Sequence, residues 1–157
     1  MPPRHAHAIQ SANILLVDDN ANGLAARRAV LDELGHNIVT ASSGAQALEK
    51  FAAQQIDLVV TDYKMPRMDG LEFIARLRKL APALPLVLIS GFADTLGLNE
   101  ASTGADVVIQ KSNNEVAHLV RAIGRLLSSK NGAGRHSRKP AGSAPATTAP
   151  KTKKQGA

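Results

Sequence analysis

The chain has no cysteine and no tryptophan, and only 1 tyrosine and 3 phenylalanines. The lack of cysteine excludes disulfides, thiolate metal ligands and a cysteine nucleophile. With so few aromatic rings, neither base stacking nor an aromatic ligand box is well supplied, and the interior must be packed from Ala, Leu, Ile and Val. No apolar run approaches membrane-spanning length, and residues 1–12 lack the apolar centre of a secretory signal, so the expected location is the cytoplasm with no membrane partner. None of the 5 histidines sits in a cluster with metal-ligand spacing.

Acidic charge is missing from one part of the chain only. Residues 1–128 carry 12 Lys/Arg against 13 Asp/Glu, whereas residues 129–157 carry 7 Lys/Arg and no acid, so the formal net charge of +6 belongs to a tail. That tail is rich in Ala, Pro, Gly, Thr and Lys without periodicity and is expected to be disordered. It can serve as a solubilising linker, the simpler reading, or hold nucleic acid or an acidic partner nonspecifically. Residues 1–11, polar with two early prolines, read as a disordered leader. One domain is expected between them, over residues 12–128.

Within that domain apolar strands alternate with helices. Ile14–Val17 is an aliphatic run that ends abruptly in Asp18, Asp19 and Asn20. The next segment to Leu34 is helical, with Leu24, Val30, Leu31 and Leu34 on one side and Gly35 as the stop. Arg27 falls in the same apolar sector, where its stem is expected to lie along the core while the guanidinium reaches water. Asn37–Ala41 is a second strand, and Ser42 or Ser43 can cap a helix that turns Ala45, Leu48 and Phe51 inward. Ile56–Thr61 is a third strand leading to Asp62, and Asp69 and Gly70 start a helix with Leu71, Ile74 and Leu77 inside. Leu86–Ser90 is a fourth strand, followed by a weak helix around Asp94 to Ala101 that Gly97 interrupts. Val107–Ile109 is a fifth strand ending at Lys111, and a helix over Asn114–Leu127 carries one clean apolar stripe with His118, Arg121 and Arg125 opposite.

Strands too apolar to have a wet face, each followed by a helix, imply a parallel doubly wound α/β sheet with helices on both faces. Right-handed crossovers then send every strand tip to one edge, the edge where such sheets bind ligands. Asp18, Asp19, Asp62, Ser90 and Lys111 all fall there. Three carboxylates in one crevice suit a hard divalent cation, and so few protein ligands favour Mg2+ over Ca2+. With that cation present Asp62 becomes a feasible nucleophile towards phosphorus, and the product is an aspartyl phosphate. Taken alone, Asp18 and Asp19 could equally cap the following helix.

These residues carry a family resemblance. The Asp18, Asp19 pair after an ILLV strand, Asp62 followed by Met65, Pro66, Met68, Asp69 and Gly70, the LIS strand ending in Ser90, and Gly104, Ala105, Asp106 before Lys111 resemble the receiver domain of bacterial two-component response regulators. The resemblance implies a flavodoxin-like fold with strand order 2-1-3-4-5 and Asp62 as phosphoacceptor. It further implies Mg2+ held by Asp18, Asp19, Asp62 and the Lys64 backbone carbonyl, with Lys111 and Ser90 responding to the phosphoryl group. Lys64 and Phe92 would flank the site. Two positions depart from the pattern: Ser112 stands where proline usually follows the lysine, and Val108 where an aromatic is usual. A trans loop with a differently aimed Lys111 is expected from the first, and loss of the serine–aromatic coupling from the second.

The resulting expectation is a single-domain response regulator, not an enzyme. It takes its phosphoryl group from a sensor histidine kinase or phosphotransfer protein and either acts on a downstream protein through the face of the fourth helix, fifth strand and last helix or passes the phosphoryl group on. A receiver that regulates a nucleic-acid-binding tail, and a scaffold that works without phosphorylation, stay open as alternatives.

Overall fold

The computed structural model describes residues 11–136, with side chains to Ser129. The elements run β1 (Asn13–Val17), α1 (Ala21–Glu33), β2 (Asn37–Ala41), α2 (Gly44–Ala53), β3 (Leu58–Asp62), α3 (Gly70–Leu80), β4 (Leu86–Ser90), α4 (Ala93–Leu96), α5 (Glu100–Thr103), β5 (Val107–Gln110) and α6 (Glu115–His136). The strands form one 5-stranded sheet in the order β2-β1-β3-β4-β5, every pair parallel. This is the doubly wound, flavodoxin-like arrangement expected.

Side-chain alternation along the strands builds two cores. Leu15, Val17, Val59, Leu86 and Leu88 point to the side covered by α2 and α3, where Phe73, Ile74 and Leu77 meet them. Ile14, Leu16, Leu58, Val60, Val87 and Ile89 point to the other side, covered by Leu31 of α1 and Leu119, Ala122 and Ile123 of α6. The middle strands β3 and β4 are therefore buried at every residue, which is why they read as unbroken apolar runs. The edge strands β2 and β5 keep partly exposed residues.

Local signals account for the helix starts. Ser43 caps α2 by accepting the Gln46 N–H, and Asp69 caps α3 by accepting the Glu72 N–H at 2.9 Å. α1 is capped by Asn20, whose side chain accepts from the Asn22 and Gly23 amides, so neither Asp18 nor Asp19 is spent as a cap. Gly35, at φ +93, ends the turn after α1 in a conformation that favours glycine.

Several expectations are corrected. Ala45 faces solvent, and the inward positions of α2 are Gly44 and Ala47, with Leu48 and Phe51 partly buried. The Asp94 to Ala101 helix is instead two single turns, α4 and α5, separated at Gly97, which takes φ +64. α6 does not stop at Leu127 but continues to His136, past the change in composition at Ser128. The expected leader and the remainder of the basic tail, residues 1–10 and 137–157, lie outside the described residues. Among the described residues no helix is long and apolar enough to cross a membrane.

Candidate functional site

The tips of β1, β3, β4 and β5 converge on a cleft of about 570 Å³ lined by Asp18, Asp19, Asn20, Asp62, Lys64, Met65, Pro66, Ser90, Gly91, Phe92 and Lys111. The expected site residues Asp18, Asp19, Asp62, Lys64, Ser90, Phe92 and Lys111 are all among them. The strand order places β1 and β3 side by side, so Val17 pairs with Thr61 and the acids at the ends of both strands become neighbours. Asp18 and Asp62 are buried, at 1% and 3% exposure, while Asp19 faces solvent.

Asp62 owes its rigid position to the loop between β3 and α3. The Gly70 amide donates to the Tyr63 carbonyl at 2.7 Å, folding the loop back so that α3 starts directly against the end of β3. A Cβ at Gly70 would collide with the Asp62 carbonyl oxygen, so this crossing requires glycine. Arg67 takes φ +68, a left-handed conformation uncommon for a residue with a side chain, and Met65 plugs into the core beneath the loop.

Lys111 crosses the cleft from the end of β5 and places Nζ 2.7 Å from Asp62 Oδ1. The expected different aim of Lys111 is thus not found, although Ser112 comes next in the chain. The contact is a close ion pair to a buried oxygen that has no other side-chain partner. Burial is the largest influence on the Asp62 carboxyl and pushes its pKa up; Lys111 pulls it down, Asp18 pushes it up, and Arg27 pulls it down. The net shift is upward, so ionised Asp62 is short of positive charge.

The donor set fits a hard cation. Asp18, Asp19 and Asp62 each offer one carboxylate oxygen, all within 4.8 Å of one another. With one ammonium, Lys111, against Asp62, this is a cluster whose mutual repulsion Mg2+ would relieve. Ser90 is buried at the tip of β4; its Oγ accepts the Phe92 N–H at 3.0 Å, which leaves the hydroxyl hydrogen able to donate. At the rim, Lys64 Nζ stands 5.5 Å from the centre of the Phe92 ring, a cation–π contact over the cleft.

Three contributors were missed. Arg27 is buried and its guanidinium does not reach water: Nη1 lies 2.7 Å from Asp18 Oδ2, and Nη2 lies 2.6 Å from Glu115 Oε1. This corrects the expectation of a stem buried and a head in solvent. The signal was present in the position of Arg27 within the apolar sector of α1, but its partner Glu115 is far away in the chain. Gln110 is the third, donating to the Gly91 carbonyl at 2.9 Å and accepting the Asp94 N–H at 3.1 Å, which pins the loop carrying Phe92.

A doubly wound parallel sheet with an acidic cleft at the carboxyl edge of its central strands defines a class of signalling and nucleotide-handling proteins. Within that class the chain belongs to the response regulator receiver domain family, whose sequence model matches residues 14–123. It is a receiver domain of two-component signalling. The gliding motility regulatory protein of Myxococcus xanthus is 33% identical over 129 residues, covering 80% of this chain and 16% of that protein. The transcriptional regulatory protein ZraR of Escherichia coli is 36% identical over 94 residues, covering 59% of this chain and 21% of that protein. The chain thus spans a minor part of these curated relatives' length. Among solved structures, the response regulator TrrA of Thermotoga maritima, in complex with Mg2+-BeF, superposes with a TM-score of 0.67 at 32% identity, covering 73% of this chain and 98% of that one.

Proposed function

We propose that Asp62 accepts a phosphoryl group from the phosphohistidine of a sensor kinase or phosphotransfer protein. The observation that carries this reading is the buried carboxylate of Asp62 in an acidic cleft, with Lys111 Nζ 2.7 Å from its Oδ1. A carboxylate oxygen of Asp62 forms the new bond to phosphorus as the bond to the histidine nitrogen breaks, and the leaving imidazole keeps the electron pair. Lys111 faces the charge that develops on the phosphoryl oxygens, and the Ser90 hydroxyl donates to one of them. Asp18, Asp19, Asp62 and the Lys64 backbone carbonyl would hold Mg2+, which when bound offsets the negative charge that donor and acceptor bring together.

The receiver unit proposed is residues 12–128, with α6 continuing beyond it. Its output is a protein contact on the face of α4, α5, β5 and α6, where Leu96 is 52% exposed and His118, Arg121 and Arg125 face solvent. Intact mass after incubation with Mg2+ and acetyl phosphate tests the chemistry. A gain of about 80 Da, one phosphoryl group, is expected for the wild type and not for Asp62→Asn or without Mg2+. No gain, including with phosphorylated kinase as donor, would overturn the reading.

A further inference from the structure

The first helix carries an arginine where its pattern calls for an apolar side chain, and the structure surrounds it with acids. Arg27 Nη1 lies 2.7 Å from Asp18 Oδ2, and Arg27 Nε donates to Glu115 Oε1 at 2.8 Å. One positive charge is therefore shared between two carboxylates that are themselves 1% and 16% exposed. Gly23, one turn earlier, makes the room: a Cβ there would stand 2.9 Å from Asp18 Oδ2 and 3.8 Å from Arg27 Nη1. Behind the acidic cleft, a second cavity of about 290 Å³ is lined in part by Asp18, Gly23, Arg27, Lys111 and Glu115.

We propose that Arg27 is an internal counter-cation that sets the affinity of the cleft for Mg2+ and ties occupancy of the cleft to the first turn of α6. This rests on the metal role proposed above for Asp18. Asp18 accepts both Arg27 Nη1 on Oδ2 and the Asn20 N–H on Oδ1, so its orientation is held and part of its charge is already neutralised. A divalent cation placed against Asp18 repels the guanidinium and competes with it for the same carboxylate. As Asp18 turns its charge towards the metal, the guanidinium shifts its pairing to Glu115. Glu115 belongs to α6 and not to the cleft, so metal occupancy is felt at a helix the metal does not touch. Linkage makes the effect reciprocal: while Arg27 is in place, a change at Glu115 that drives the guanidinium onto Asp18 weakens Mg2+ binding. With Val108 in place of an aromatic, this polar strap is a connection from the acidic cleft to α6 that needs no rotating ring.

The test is calorimetric titration of Mg2+ into the wild type, Glu115→Gln, and the double variant Arg27→Met/Glu115→Gln. Glu115→Gln keeps size and a hydrogen-bond acceptor but concentrates the guanidinium on Asp18, so Mg2+ affinity should fall about 3- to 10-fold. Removing Arg27 in that background should restore it, about tenfold tighter than Glu115→Gln alone. A merely structural arginine gives the opposite order, because the double variant then adds a packing loss. In the wild type, Mg2+ should also shift the NMR signals of the Arg27 Nε–H and the Glu115 amide. Unchanged affinity in Glu115→Gln, or a double variant that binds no tighter than it, overturns the role of Arg27 alone. A wild type without Mg2+ affinity overturns the proposed metal site and this inference with it. Should the double variant fail to fold, the single variant and the NMR shifts decide.

Discussion

Burial and the neighbouring Asp18 oppose ionisation of Asp62, and the Lys111 ammonium supports it; the balance leaves its pKa above the ordinary value of 3.8. Between those two values the folded state binds more protons than the unfolded one. Stability from this carboxyl is therefore present at low pH and is lost as pH rises through the raised value. Asp62→Asn should melt at a higher temperature than the wild type at neutral pH, with the advantage shrinking towards pH 4 and below, as thermal melts from roughly pH 4 to 8 would show. His36, whose Nδ1 accepts the Ala12 N–H and whose pKa is lowered by burial, destabilises both proteins alike as pH falls below 6.5. Comparison at matched pH removes its contribution. Phe92 is 45% exposed and lines the cleft beneath Lys64; on the proposed chemistry its ring would hinder the approach of water to a phosphoryl group on Asp62. Phe92→Ala should shorten the acyl-phosphate lifetime several-fold, read as loss of the phosphorylated mass over time; an unchanged lifetime would remove Phe92 from the hydrolysis step.

At the scale of elements, the start of α3 is the joint on which the site depends. Asp69 caps the helix, Gly70 lets it begin against the Asp62 carbonyl, and Phe73, Ile74 and Leu77 lock it onto the sheet. Gly70→Ala forces the loop away from the tip of β3, and should cost about 1–3 kcal/mol in urea denaturation while also slowing phosphorylation. Little loss of either would mean that the loop yields without moving Asp62. The contrast with α4 and α5 is physical. Each is only one turn, and Gly97 in the left-handed region breaks any continuation between them. An element with so few internal hydrogen bonds opens at little free-energy cost, which suits the output role proposed for this face. α6, in contrast, is pinned by Leu119, Ala122 and Ile123, and its exposed basic face stays available.

At the scale of the molecule, the parallel sheet gathers charge that chain order keeps far apart. Placing β1 and β3 together at the centre brings Asp18 and Asp19 beside Asp62, and β5 at the edge returns Lys111 across the gap. The apoprotein is therefore folded against its own acidic repulsion. Mg2+ at about 100 times its Kd should stabilise the wild type by about 2.7 kcal/mol, and Asp62→Asn by less, as thermal melts at fixed protein concentration would show. Equal stabilisation of both would place the cation elsewhere.

Most of this architecture is legible in the order of residues, because strands buried on both faces must be apolar throughout and helices must be apolar on one side. β2 and β4 coincide with the segments read from pattern, and the acids, the serine and the lysine at strand ends announce a phosphoacceptor family. Boundaries and partners were less legible. The apolar sector of α2 passes through Ala47 rather than Ala45, since a small residue tolerates either side. The end of α6 lies beyond the change in composition, because a helix already seated on the sheet can continue through residues that would not start one. Asn20, rather than either aspartate, caps α1, and only the fold shows that both acids are left for the cleft. Arg27 is the clearest case. Local pattern sends its charge to water, but tertiary structure offers the buried carboxylate of Asp18 and the partly buried one of Glu115, 88 residues away. Chain-local physics determines which segments are strands and helices; pairing between charges depends on which ends the fold brings together, and that is decided only when the sheet closes its order.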